Sequence, residues 1–146
     1  MRRTKSRKIN LLPSVDLANF WRTMDTFYRD KVFDYVIKKY NSKIEFLWAR
    51  FPDDAIFRHN DNRKWYGIVM GVLCKKLGID REGKVYVLNV KIDDPSLLGF
   101  LLHKQGFFCA YHQTKGKWIS ISLDGSVPFS QIKDLIDMSY IATSKK

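Results

Sequence analysis

Only two glutamates, Glu45 and Glu82, occur among 146 residues, with two cysteines and three histidines. General acid–base chemistry needs paired ionisable groups in a shared setting, and neither glutamate stands in one. His59, His103 and His112 have no metal-ligand spacing. Cys74 and Cys109 form no Cys-x-x-Cys pair and fall in separate strand-like segments. Two reduced, buried thiols are expected, a disulfide being the alternative. Asp93-Asp94 resembles a metal carboxylate pair, but capping of the next helix accounts for Asp94 without a metal. Ser126 is not in a G-x-S-x-G elbow, and no glycine-rich phosphate loop is present. The expectation is a protein that is not an enzyme and uses no metal or other cofactor.

Long apolar runs are also lacking. The longest, residues 66–74 (YGIVMGVLC), is too short to cross a bilayer. The basic start is followed by residues 9–20, where Pro13 and Asp16 interrupt the apolar stretch a signal peptide requires. A cytoplasmic protein with no membrane partner is expected.

What is present is a body rich in large apolar side chains and an excess of cations. The hydrophobic fraction of 45% and the length suit one domain, residues 14–146, behind a basic arm at residues 1–13. The formal charge is +11. Arg2, Arg3, Lys5, Arg7 and Lys8 contribute five charges and Lys145-Lys146 two, which leaves +4 on residues 9–144. Three connecting segments each net +2: residues 58–64 (Arg58, Arg63, Lys64 against Asp61), 75–84 (Lys75, Lys76, Arg81, Lys84 against Asp80 and Glu82) and 113–117 (Lys115, Lys117). The turns thus carry more positive charge than the whole body. That is the footprint of a polyanionic partner, although exposed turns are often basic for solubility alone.

Apolar spacing predicts helix over residues 17–40, as one helix or two short ones, with Phe20, Met24, Phe27, Val32, Val36 and Tyr40 inward. Asp16 is the expected N-cap and Asn41-Ser42 the exit. An irregular stretch with Phe46, Trp48 and Phe51 follows. Strands are predicted at 55–59, 64–74 and 84–92, the first two joined by Asn60-Asp61-Asn62-Arg63, where Asn or Asp would take the left-handed turn conformation. Asp94-Pro95 opens a helix that buries Leu97, Leu98, Leu101 and Leu102 and ends at Gly106. Strands at 107–113 and 117–123 and a helix from Pro128, inward at Ile132, Leu135, Ile136 and Tyr140, complete the order α-β-β-β-α-β-β-α. This is an α+β domain: an antiparallel sheet with helices packed mainly on one face.

The run Gly106 to Tyr140, with Lys64-Trp65-Tyr66-Gly67 and the segment Val87-Leu88-Asn89-Val90-Lys91-Ile92-Asp93-Asp94-Pro95, resembles the YjbR/MmcQ-like family of small bacterial proteins. The resemblance covers roughly residues 29–143. Its residues here are Trp65, Asn89, Lys91, His112, Trp118, Asp124, Ser139 and Tyr140. It implies a secretion-chaperone-like fold, also described as a double wing, and a DNA-binding role. The chain departs from the family pattern at Cys109, Gln113-Thr114 and Lys117, where Pro, Met-Asn and His are usual. Only one histidine therefore remains at that turn, which counts against a functional histidine pair.

Nucleic acid, DNA first, is accordingly the expected partner, met by Arg58, Arg63, Lys64, Lys75, Lys76, Lys84, Lys91, Lys115, Lys117 and Trp118. If Ile119, Ile121 and Leu123 face the core, alternation turns Trp118, Ser120, Ser122, Asn89 and Lys91 onto the opposite sheet face. An open face of that composition could stack a base or hold a peptide. The alternative function is a protein-binding adaptor.

Overall fold

A computed structural model describes residues 17–110 and 116–144. With neither Gly nor Pro between Leu17 and Tyr40, the chain forms one continuous 24-residue helix, α1 (Leu17–Tyr40). Val32 and Val36 are fully buried, whereas Phe27, predicted inward, is half exposed. Lys38 and Lys39 in the last turn complement the helix dipole. Asn41 then takes a left-handed conformation (φ 54°) and ends the helix. The expected cap Asp16 and the basic arm lie outside the described residues.

Five antiparallel strands follow in the spatial order β1-β2-β3-β5-β4. They are β1 (Ala55–Arg58), β2 (Trp65–Leu73), β3 (Lys84–Lys91), β4 (Phe107–Cys109) and β5 (Trp118–Ser122). In the β1–β2 turn Arg63, not Asn or Asp, adopts positive φ (64°). Asn62 is otherwise engaged: its side chain accepts from the Lys64 N–H (2.8 Å) and donates to the Thr143 carbonyl (3.0 Å). β2 stops one residue early, because Cys74–Leu77 coils into a 3-10 turn that Gly78 ends in a left-handed conformation.

The carboxylate of Asp94 caps α2 (Pro95–Leu101), accepting from the N–H groups of Ser96 (2.9 Å) and Leu97 (3.4 Å). Gly106 lies beyond the end of that helix and does not cap it. It opens β4 with φ 92°, where a side chain would come within 2.6 Å of Val127. The last helix, α3 (Phe129–Thr143), follows Pro128 and buries Ile132, Leu135, Ile136, Ser139 and Thr143.

All three helices cover one face of the sheet. Val32 and Val36 of α1, Leu101 of α2 and Ile132, Leu135 and Ile136 of α3 close over Phe57, Val69, Leu88, Val90, Ile119 and Ile121. Leu97 and Leu98 pack against this cluster from the side, while Leu102 is exposed at its edge. The opposite face is not the open platform that alternation suggested. Ile56, Ile68, Met70, Val72, Val85 and Val87 form a second cluster with Cys74, and Leu77 and Ile79 fold back onto it from the β2–β3 connection. Asn89, Ser120 and Ser122 on that face are buried. Their polarity is satisfied internally, the Ser120 hydroxyl donating to Asn89 Oδ1. Cys74 and Cys109 are both free; Cys74 is buried as expected, Cys109 exposed.

Candidate nucleic-acid interface

Strand register decides which basic segments can act together. Arg58 is opposite Trp65, and Lys91 is opposite Trp118, at the end of the sheet where β2 begins and β3 finishes. The β1–β2 turn and the β4–β5 connection therefore emerge at the same end. Leu73 pairs with Lys84 at the other end, which places Lys84 the length of β2 away, roughly 30 Å. The connection that carries Lys75 and Lys76 folds back over the second face, where Lys76 and Leu77 line a shallow pocket with Phe108, Cys109 and Ala110 of the β4 edge. Of the ten predicted positions, register therefore gathers Arg58, Arg63, Lys64, Lys91, Lys117 and Trp118 at one end and leaves Lys84 at the other, with Lys75 and Lys76 on the connection between. Lys115 and His112 lie outside the described residues.

At the first end, the second face carries a row of alternating chemistry across four strands. Arg58 of β1, Trp65 of β2, Lys91 of β3 and Trp118 of β5 are each half-buried. The Arg58 guanidinium lies 6.0 Å from the centre of a Trp65 ring. The gap between the two strand pairs is closed from the helical face. β2–β3 pairing ends at Ile68 and Asn89. Beyond it, the Ser139 hydroxyl of α3 donates to the Tyr66 carbonyl (2.7 Å) and accepts from the Lys91 N–H (2.9 Å). A helix side chain thus replaces a missing rung of the sheet.

The positive charge of this end is partly neutralised. Glu45 bridges β1 through paired backbone bonds with Ile56 (3.0 and 2.9 Å). Its carboxylate takes both Nε (2.9 Å) and a terminal nitrogen (3.1 Å) of Arg58 and lies 4.0 Å from Arg63. Lys117 lies 3.9 Å from Asp93. Glu45, one of the two glutamates without an acid–base partner, serves as the counterion of a predicted phosphate-binding arginine.

The remaining described family positions are structural. Asp124 accepts from the Ser126 N–H (3.0 Å) and the Ser122 hydroxyl (3.1 Å), holding the β5–α3 turn. Tyr140 stacks on Tyr40 with ring centres 3.7 Å apart. His59, which the sequence does not single out, joins the same cluster: it lies 4.1 Å from the Tyr140 ring and bonds Thr143 Oγ1 through Nε2 (2.7 Å). The Thr143 hydroxyl also donates to the Ser139 carbonyl (2.8 Å), tying His59 to the last turns of α3. Burial lowers the His59 pKa, against the opposing pull of Asp61. Burial likewise pushes the Tyr66 hydroxyl up to about 12, although Ser42 hydrogen-bonds to it.

On the outer surface Asp137 accepts from Tyr40 (2.6 Å), Tyr35 (2.9 Å) and Lys39 (3.0 Å). Burial there would raise its pKa, but these donors outweigh burial and hold the carboxyl below its ordinary value. Among the described residues, no group of three or more His, Cys, Asp or Glu side chains could hold a metal ion. No described helix is long and apolar enough to cross a membrane.

The sequence reading missed the segment at residues 46–51. Phe46, Leu47, Trp48 and Phe51 are all exposed large side chains. Trp48 stands perpendicular to Trp65 with ring centres 6.0 Å apart. An aromatic-rich stretch without helix or strand periodicity was the available signal.

An α+β domain of this topology, with Trp65, Asn89, Lys91, Ser139 and Tyr140 at these positions, matches the YjbR family model over residues 37–142. The chain belongs to the YjbR family. It is 36% identical to the uncharacterized protein YyaQ of Bacillus subtilis (strain 168) over 115 residues, 79% of this chain and 97% of that one. A crystal structure of a Pseudomonas syringae protein is 40% identical, with a TM-score of 0.75, covering 79% of this chain and 97% of that one. A Deinococcus radiodurans protein at 22% identity and a TM-score of 0.61, covering 81% of this chain and 79% of that one, shares the fold.

Proposed function

We propose that this protein is a cytoplasmic, non-enzymatic nucleic-acid-binding protein that meets its ligand with the Arg58–Trp65–Lys91–Trp118 end of the sheet. One observation carries the reading: two basic connections converge on the end of the sheet where cations and indoles alternate across four strands. Cations placed there meet phosphates, and half-buried indoles offer π surface to bases. The ion pairs of Arg58 with Glu45 and of Lys117 with Asp93 limit how many counterions binding can release. Salt dependence is therefore moderate: with three or four phosphates neutralised, log K falls against log salt with a slope of about −2 to −3.

The test is a titration of labelled oligonucleotides at several salt concentrations. Lys64→Glu with Lys117→Glu weakens binding, whereas Lys84→Glu, at the far end, leaves it unchanged. A loss from Lys84→Glu equal to that from the pair, or no binding at low salt, would overturn the reading. Of the two grounds for the adaptor alternative, the open sheet face is weakened by the burial of Asn89, Ser120 and Ser122, while the secretion-chaperone-like fold is untouched by it.

A further inference from the structure

We infer that the ligand of this surface is single-stranded, its bases stacked on aromatic side chains that continue from Trp118 and Trp65 onto the segment at residues 46–51. The inference rests on the nucleic-acid reading above and narrows it to one class of ligand. Trp65 and Trp118 stand on β2 and β5 with the strand of Lys91 between them; because the β2–β3 ladder has already ended there, they are more than two strand spacings, roughly 10 Å, apart. No single base spans that gap. Each indole can receive its own base while Lys91 meets the backbone between them, the arrangement of cation-lined stacking platforms.

The row does not end at β1. The backbone bridge of Glu45 to Ile56 lays the following segment alongside the sheet. Trp48 is 36% exposed and edge-on to Trp65, whereas Phe46, 56% exposed and edge-on to Phe33 of α1 (6.4 Å, 88°), lies on the helical side of the same segment and outside the row. Phe51 is exposed to a similar degree, 55%. A cluster of this kind marks a binding surface.

Its surroundings select the occupant. Lys43, Arg50, Arg58 and Arg63 lie along the segment or its paired strand, with Glu45 as the carboxylate among them. The next two carboxylates are directed elsewhere, Asp54 to the Gly71 N–H (3.0 Å) and Asp53 to Tyr86. Aromatic faces beside cations suit a chain of bases and phosphates better than an apolar or basic peptide. A duplex keeps its base faces in the stack and presents only groove edges and phosphates. A strand with free bases can use every ring in the row.

The experiment compares three 12-mers by fluorescence anisotropy with the full chain: single-stranded oligo-dT, the same backbone with abasic sites, and a 12-base-pair duplex. Oligo-dT should bind at least about tenfold more tightly than either of the others. Trp48→Ala, an exposed position, should weaken oligo-dT binding roughly five- to a hundredfold while leaving the abasic strand unaffected. Equal binding of all three with a silent Trp48→Ala overturns the inference but leaves a phosphate-binding protein. Binding of none overturns both readings. If Trp48→Ala or Phe46→Ala instead converts a dimer into a monomer in sedimentation, the patch is a contact between copies and the inference fails.

Discussion

The two faces of the sheet are built to different standards. Beneath the helices, seventeen described residues form one buried cluster, fed by every helix and by all five strands. The opposite cluster has seven, closed by a 3-10 turn and irregular chain. Towards Trp118 that second face gives way to a buried polar pair, Asn89 and Ser120, and then to the half-buried cation and indole row. Apolar burial is concentrated on one side of the sheet, which leaves the other under weaker packing constraint.

The sharpest way to break this comparison is to open matched cavities. Ile136→Ala, in the helical face, is expected to cost about 2–5 kcal/mol in urea unfolding, near the upper end because the side chain is fully buried. Met70→Ala, on the other face and slightly exposed, should lie near or below the lower end. Equal losses would show that the second cluster is as tightly packed as the first. Ser139→Ala tests the bond network that joins the faces. It removes a donor to Tyr66 and an acceptor for Lys91, an expected loss of about 1–3 kcal/mol by the same measurement. A neutral result would mean that water replaces the hydroxyl.

The smallest effect expected is one of pH. Because burial disfavours the His59 cation, its folded-state pKa lies below the ordinary value of about 6.5, and the unfolded chain takes up the proton first. This contribution to stability is complete above that pH, declines as pH falls through it, and levels off only beneath the folded-state value. His59→Gln should flatten unfolding free energy between about pH 5 and 7. An unchanged slope would assign that limb to other groups.

Element order was legible because it rests on local signals: alternation in residues 84–92, Asp94-Pro95 at a helix start, and turn residues at 60–63. The shared face of Trp118 and Lys91 was legible too, since alternation alone places both on the second face. What covers that face was not. Leu77 and Ile79 return over the sheet through a connection with no periodicity, so closure of the second cluster depends on chain that carries no strand or helix signal. Ion pairing was equally hidden, for Glu45 and Arg58 are thirteen residues apart and meet only once the irregular segment runs beside β1. Net charge by segment consequently overstated the potential of the β1–β2 turn. Arg63 shows the same limit at smaller scale: its left-handed conformation follows from the engagement of Asn62 with the end of α3, a contact eighty-one residues away.

The hydroxyl of Ser139 makes the last helix part of the sheet's own mechanics. A slide or tilt of α3 would pull on the backbone of Lys91 directly, without passing through the hydrophobic packing between them. Pressure applied to the outer side of the helix, for example at the exposed Met138 or Ile141, would therefore be felt as a change in the aim of the lysine at the far surface.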